Sequence, residues 1–289
     1  MKKWDTVAIV GVGLIGGSIG LALRKHGFAE RVVGIGRRVS SLRKAREVGA
    51  VDATTTSIAR GVADAELIVV CTPVQQVVEH VRQVAELCPD GALITDTGST
   101  KRNIVAALDG KSVEGRGSRL GRDVSFVGSH PVAGSDSSGP LHADAELFVD
   151  RTCIVTPTRR TRPHDFAVIV DFWSALGAII VKMTPAQHDE AVAAVSHMPH
   201  LVAAALATAT PERLLEVTGT GWLDTTRIAA GDVELWRQII SENRNYVLKS
   251  LDKFEKVLSS LHQAIAQGND AKVAKLLETG KDRRDAVGS

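Results

Sequence analysis

Short apolar runs alternate with amphipathic stretches along the first part of the chain, and the remainder carries helical periodicity alone. Residues 7–10 (VAIV), 31–35 (RVVGI), 67–70 (LIVV), 92–95 (ALIT), 153–156 (CIVT) and 178–183 (AIIVKM) are too short for helices and rich in Val and Ile. Runs of this kind, apolar at successive positions, read as strands covered on both faces. Helical patterns follow the first strand and occupy 40–48, 74–87 and 163–176, with Gly49 and Gly177 placed to end two of them. Strand and helix alternating at this spacing predict an α/β fold, a doubly wound and mostly parallel sheet.

From residue 184 no strand pattern recurs. Thr184-Pro185 is a cap followed by a first-turn proline, and 186–208 is rich in alanine with Pro199 expected to kink it. A polar stretch over 219–229 precedes Asp232, the expected cap of one long helix over 233–267. Ile240, Val247, Leu251, Phe254, Leu258, Leu261 and Ile265 form an a/d-like seam along it. Such a seam packs along another long helix, and a two-fold homodimer through these helices is the expected arrangement. A short helix and a frayed tail over 282–289 complete the chain. Because the first strand leads through a glycine-rich turn (Gly11, Gly13, Gly16) into a helix, the organisation expected is a Rossmann-type dinucleotide-binding domain over 1–183 and an all-α substrate and dimerisation domain over 184–289.

The first strand runs into Gly11, Gly13 and Gly16, in G-x-G-x-x-G spacing, and then into a helix. Gly11 permits the tight turn, Gly13 lets a pyrophosphate approach the backbone, and Gly16 lets helix and strand pack closely. The free N–H groups at the helix start, including Leu14 and Ile15, face the phosphates. Thr72-Pro73, after the 67–70 strand, turn the backbone across the sheet edge where such ligands bind. About twenty positions past the glycines an acidic residue would accept from the adenosine ribose of NAD. The chain has Arg37 and Arg38 there, and guanidiniums suit a 2′-phosphate, so NADP is the expected cofactor and NAD the alternative.

Bulk properties narrow the class of partner. A net charge of +2 favours neither nucleic acid nor an anionic membrane surface. No leader-like segment precedes the first strand, and no apolar stretch reads as long enough to span a membrane. The three cysteines, Cys71, Cys88 and Cys153, form no C-x-x-C, consistent with a reducing cytoplasm. Residues 109–123, rich in glycine and charge, read as a surface loop. His130 stands in what reads as a flexible polar loop after a strand, a good position for a general base. In the 195–200 segment (VSHMPH), Ser196 and His200 lie four apart and share a helix face, with His197 turned away. No carboxylate or cysteine completes a metal set around these histidines, so no metal is expected. Arg227 is placed to clamp a carboxylate.

With these blocks laid out, the chain resembles the prephenate/arogenate dehydrogenase family of tyrosine biosynthesis over nearly its full length. The carriers are 11–18 (GVGLIGGS), 96–101 (DTGSTK), 128–134 (GSHPVAG), 196–200 (SHMPH) and 224–229 (DTTRIA) with Trp236-Arg237. The resemblance implies NAD(P)-dependent oxidative decarboxylation of prephenate to 4-hydroxyphenylpyruvate, or of arogenate to tyrosine. It implies that His130 hydrogen-bonds the substrate's ring hydroxyl, with Ser99 close to it and to the nicotinamide. It further implies that His200 binds substrate, that Arg227 meets the substrate carboxylate, and that Ser196, His197, Asp224 and Trp236 line or back the same pocket. Asp136 stands where the family often has glutamate. A β-hydroxyacid dehydrogenase shares this plan but usually relies on a lysine in its helical half. A nucleotide sensor that had lost the chemistry would not need His130, Ser99, His200 and Arg227 together.

Overall fold

A computed structural model describes residues 3–109, 123–134 and 139–288. The loop expected over 109–123 therefore lies almost wholly outside the described residues, and so does Asp136. One sheet gathers all eight strands in the order β3-β2-β1-β4-β5-β6-β7-β8. They are β1 Trp4–Val10, β2 Ala29–Ile35, β3 Ala53–Thr55, β4 Leu67–Val70, β5 Leu93–Asp96, β6 Ser125–Pro131, β7 Thr152–Thr156 and β8 Ile179–Lys182. Pairing is parallel from β3 across to β6; β7 runs antiparallel to β6, and β8 parallel to β7. β3 escapes the hydrophobic pattern because it is a three-residue edge strand of half-buried Ala53, Thr54 and Thr55.

The continuous apolar runs follow from this layering. Val7, Ile9, Leu67 and Val69 enter one core, with Phe148, Phe172 and Trp173. Their neighbours Ala8, Val10, Ile68 and Val70 enter the opposite core, with Val77, Val81, Val84 and Ile94. Successive strand residues face opposite sides, so a sheet with helices on both faces needs apolar residues at every position. The covering helices are α1 Leu14–Lys25, α2 Val39–Glu47, α3 Ile58–Val62, α4 Val77–Leu87, α5 Arg102–Leu108 and α6 Pro163–Ala175.

All described elements after β8 are helical: α7 Pro185–Val192, α8 Met198–Ala209, α9 Thr220–Thr226, α10 Val233–Glu242, α11 Arg244–Ala266 and α12 Asp270–Asp285. Thr184 opens α7 with a reciprocal capping box to Gln187. Between α7 and α8 the chain passes through a π-helical turn, Ala193–His197. Pro199 cannot donate to a carbonyl one turn back, and the wider turn absorbs that gap. The regular four-residue spacing from which Ser196 and His200 were expected to share a face does not apply across it. Three further expectations need correcting. The long helix over 233–267 is broken at Asn243, whose side chain is engaged outside its own helix. The final helix continues to Asp285, supported by Arg283 and Arg284 in its last turn and by the Lys281–Asp285 pair. Finally, the 25-residue run Pro185–Ala209, with a window of mean hydropathy 1.4, is long and apolar enough to cross a membrane by length and composition. Only 28% of that window is buried within the chain, and the run packs on α5, β7 and α11.

Candidate active site

The strand order places β1 beside β4, with connections leaving in opposite directions, and the glycine turn sits at that switch point. Gly11, at φ 97°, donates its N–H to Ile35 O at 2.8 Å. A Cβ there would stand 2.7 Å from Cys71 O, and one on Gly16 would stand 2.2 Å from Gly11 O. Around Gly13, by contrast, a Cβ would meet nothing within 4 Å. The turn is thus crowded on the protein side and open on the other, as a cradle for a bulky anion requires. Gly13 gives α1 no side-chain cap, and the first turn holds no acidic residue. The N–H groups beginning at Leu14 and Ile15, both half-buried, therefore face that opening without a competing carboxylate.

Thr72 is half-buried and Pro73 exposed at the end of β4. Thr72 Oγ1 lies 3.0 Å from His80 Nδ1, and burial holds His80 below its ordinary value, with a smaller push from Arg37. Arg37 and Arg38 are exposed just past the end of β2; Arg38 accepts from Leu42 N–H through its backbone carbonyl, and neither guanidinium makes a hydrogen bond or ion pair among the described residues.

A second, densely bonded polar cluster lies at the ends of β5 and β6. Asp96 and Lys101 are fully buried and form an ion pair. Asp96 also accepts from Gly98 N at 2.9 Å and Ser129 N at 3.2 Å. These bonds offset the desolvation of two buried charges, and they fix the turn that carries half-buried Ser99. Ser129 Oγ donates to Asp96 O at 2.6 Å and accepts from Trp173 Nε1 at 2.9 Å. His130, the next residue, is consequently not in a flexible loop. It lies within β6, opposite Ile154 of β7, and is only 9% exposed.

The helical part adds a polar chain that reaches His130 through His188. His130 Nδ1 is 2.8 Å from His188 Nε2, and His188 Nδ1 is 2.7 Å from Asp189 Oδ1. Asp189 accepts from Lys101 N at 2.7 Å and Arg102 N at 3.0 Å, so α7 grips the start of α5. Asn243 Nδ2 donates to Asp189 O at 2.7 Å and lies 3.2 Å from His197 Nδ1. His200 stacks on Trp236, ring centroids 3.5 Å apart and planes 17° apart, and His197 meets the edge of the same indole. His200 Nδ1 is buried with no hydrogen-bond partner among the described residues.

Burial is the first cause holding all four histidines below their ordinary value. His130 is held well below it, with the neighbouring His188 ring and the Lys101 charge adding to the effect, and His197 falls to about 4. A depressed folded value means that the unfolded chain binds more protons between that value and the usual figure of about 6.5. This contribution to stability is present above about pH 6.5 and is lost as pH falls. The thermal midpoint should therefore drop between about pH 7 and pH 5; a midpoint unchanged over that interval would contradict burial of these rings in the neutral form.

Of the other expected residues, Ser196 is half-buried next to buried His197, while Asp224 and Arg227 are exposed on α9 and the short turn Arg227–Ala230 that follows it. That turn packs on α8 and ends at Gly231, where a Cβ would lie 3.0 Å from His200 Cε1 and 2.7 Å from Trp236 Nε1. His188, Asp189 and Asn243, and the roles of Asp96 and Lys101, are not evident from local sequence pattern. The available signal was an adjacent His-Asp pair at the start of an otherwise alanine-rich helix.

Comparison with known proteins accords with this arrangement. Residues 19–182 match the nucleotide-binding domain of prephenate dehydrogenase, and residues 184–279 match its dimerization domain. The chain is 31% identical to the prephenate dehydrogenase of Bacillus subtilis, over 98% of this chain and 76% of that protein. It is also 31% identical to the cyclohexadienyl dehydrogenase of Zymomonas mobilis, over 98% and 96% of the two chains. Among solved structures, prephenate dehydrogenase from A. aeolicus, in complex with hydroxyphenyl propionate and NAD+, superimposes with a TM-score of 0.87. Identity there is 32%, covering 98% of each chain. On these grounds the chain belongs to the prephenate dehydrogenase family.

Proposed function

We propose that the chain is a prephenate dehydrogenase that converts prephenate to 4-hydroxyphenylpyruvate and carbon dioxide. The observation that carries this reading is His130 itself: a buried ring held neutral at the end of the same sheet whose β1–β4 crevice bears the open glycine cradle. A base and a dinucleotide site sharing one sheet edge suit removal of a proton from an alcohol hydroxyl and a hydride from the carbon that bears it.

Gly11, Gly13, Leu14, Ile15 and Gly16 would hold the pyrophosphate of a dinucleotide, with Thr72, Pro73 and Ser99 as further contacts to it. The dinucleotide supplies the acceptor for the hydride that leaves ring carbon C4. His130 takes the proton of the C4 hydroxyl as that C–H bond breaks, so C4 becomes a carbonyl. The bond from C1 to its carboxylate then breaks, its electron pair enters the ring, and aromaticity drives the loss of carbon dioxide. His130 returns its proton to the new phenolic oxygen, so no proton is gained or lost overall. Arg227 clamps a substrate carboxylate, and His200, with its unpartnered ring nitrogen and its stack on Trp236, offers a second polar contact. Ser196, His197 and Asp224 complete or back the pocket in this reading. Steady-state turnover of prephenate with release of carbon dioxide tests the proposal.

NADP is the proposed cofactor. Arg37 and Arg38 are exposed, with guanidiniums unpaired among the described residues, and they follow β2, where the adenosine ribose of a bound dinucleotide would be met; this position supports the reading. Replacing both with alanine should lower kcat/KM for NADP by about 10- to 100-fold and leave that for NAD within a few-fold. Equal loss with both cofactors, or no loss with either, would contradict the assignment. We further propose the division into 1–183 and 184–289, with a homodimer formed through the C-terminal helices. The exposed apolar part of Pro185–Ala209 supports that mode of association.

A further inference from the structure

We propose that His188 and Asp189 are positioning residues that hold His130 in the tautomer protonated on Nδ1, so that Nε2 presents its lone pair to the substrate hydroxyl. The catalytic consequence rests on the reading of His130 as the base; the tautomer itself does not. Backbone N–H groups have fixed proton positions. Lys101 N and Arg102 N can only donate, and they point at Asp189 Oδ1 and Oδ2 respectively. Both oxygens of Asp189 are therefore acceptors, and the group they accept from must carry a proton. His188 Nδ1, 2.7 Å from Oδ1, is that donor. In a neutral ring the other nitrogen is then an acceptor. His188 Nε2 faces His130 Nδ1 at 2.8 Å, so His130 Nδ1 must be the donor in that contact. A neutral His130 protonated at Nδ1 has its lone pair on Nε2.

Each link is held from outside the chain of histidines. The Ser129 bonds to Asp96 and Trp173 fix the backbone that carries His130. Asn243 Nδ2 holds the Asp189 carbonyl, which explains why the helix expected over 233–267 breaks at that residue. Burial keeps His188 neutral even though Asp189 favours its charged form. The arrangement joins the helical part to the sheet, because α7 supplies the residues that orient a base on β6. When His130 accepts the substrate proton at Nε2, its Nδ1–H remains bonded to His188, with the Asp189 carboxylate one ring further on to stabilise the added charge. This is the logic by which a carboxylate fixes the tautomer and orientation of a catalytic imidazole, extended by one ring.

Ring ¹⁵N NMR of the full chain labelled at histidine tests the tautomer without any substrate. The His130 signals are identified by their loss in His130→Asn. At neutral pH Nδ1 should be protonated and Nε2 bare; protonation at Nε2 instead would overturn the proposal, whatever the protein turns over. Two substitutions test the consequence. His188→Phe keeps the ring volume and removes the acceptor, and should lower kcat by about 100-fold or more with KM and dinucleotide binding within a few-fold. His188→Gln restores a carbonyl oxygen that can accept from His130 Nδ1, and should recover at least about tenfold of that loss. Unchanged kcat in His188→Phe, or a Gln variant no better than Phe, would overturn the positioning role. Should neither variant fold, the NMR result on the unsubstituted protein still decides it.

Discussion

Replacing His130 with asparagine is expected to cut turnover by about 100- to 10,000-fold while leaving dinucleotide binding intact. The size follows from what is removed. General base catalysis is worth about 3–5 kcal/mol of barrier, and asparagine cannot accept a proton at neutral pH. The selectivity follows from position. His130 sits on β6, held by Ser129, Asp96 and Trp173, whereas the cradle is formed by the turn after β1 and the start of α1. The asparagine amide can still donate toward His188 Nε2, so the buried cluster keeps a partner for that nitrogen. Rapid-equilibrium binding of the dinucleotide, measured beside steady-state turnover, separates the two effects. Full activity in this variant would remove His130 from the mechanism.

Arg227→Ala should instead act on substrate affinity, raising KM by about 100-fold with kcat within a few-fold. A guanidinium meeting a carboxylate makes two parallel charge-assisted hydrogen bonds, each worth about 1.5–3 kcal/mol, and such bonds are present before and after the hydride leaves. They count as uniform binding, which lowers KM without raising kcat. The local geometry supports the placement, because the turn Arg227–Ala230 runs into Gly231, whose missing side chain leaves room for the His200–Trp236 stack. Arg227→Lys should recover only part of the affinity, since an ammonium lacks the planar fork. A normal KM with lost turnover would contradict the clamp.

The parts of this protein most legible in its sequence are those set by local physics. The glycine cradle was readable because a backbone turn, a close approach and a close packing contact each require a missing side chain at a fixed spacing. The central strands β1 and β4 were readable because both faces of the sheet are covered there, which makes successive positions apolar. What escaped depends on contacts between distant segments. Gly128 and Ser129 look like loop residues, yet Gly128 is small because the Lys101 stem and Thr156 pass beside it, and Ser129 is polar because Asp96 and Trp173 bond it. That is why His130 reads as a loop residue and stands in a buried strand. Asn243 interrupts a helix for a partner 54 positions away, and His188 meets His130 across 58 positions. No local periodicity carries information of that kind. The family resemblance supplied roles for His200, Arg227 and Trp236 that spacing alone did not assign.

The most direct test of the account is a steady-state reduction assay with prephenate or arogenate as substrate, each with NAD or NADP. Turnover with prephenate is expected, with carbon dioxide released in step with reduced dinucleotide and a higher kcat/KM with NADP. Turnover of arogenate alone would keep the chemistry and correct the substrate. Absence of turnover in all four combinations, with dinucleotide binding confirmed, would contradict the central claim.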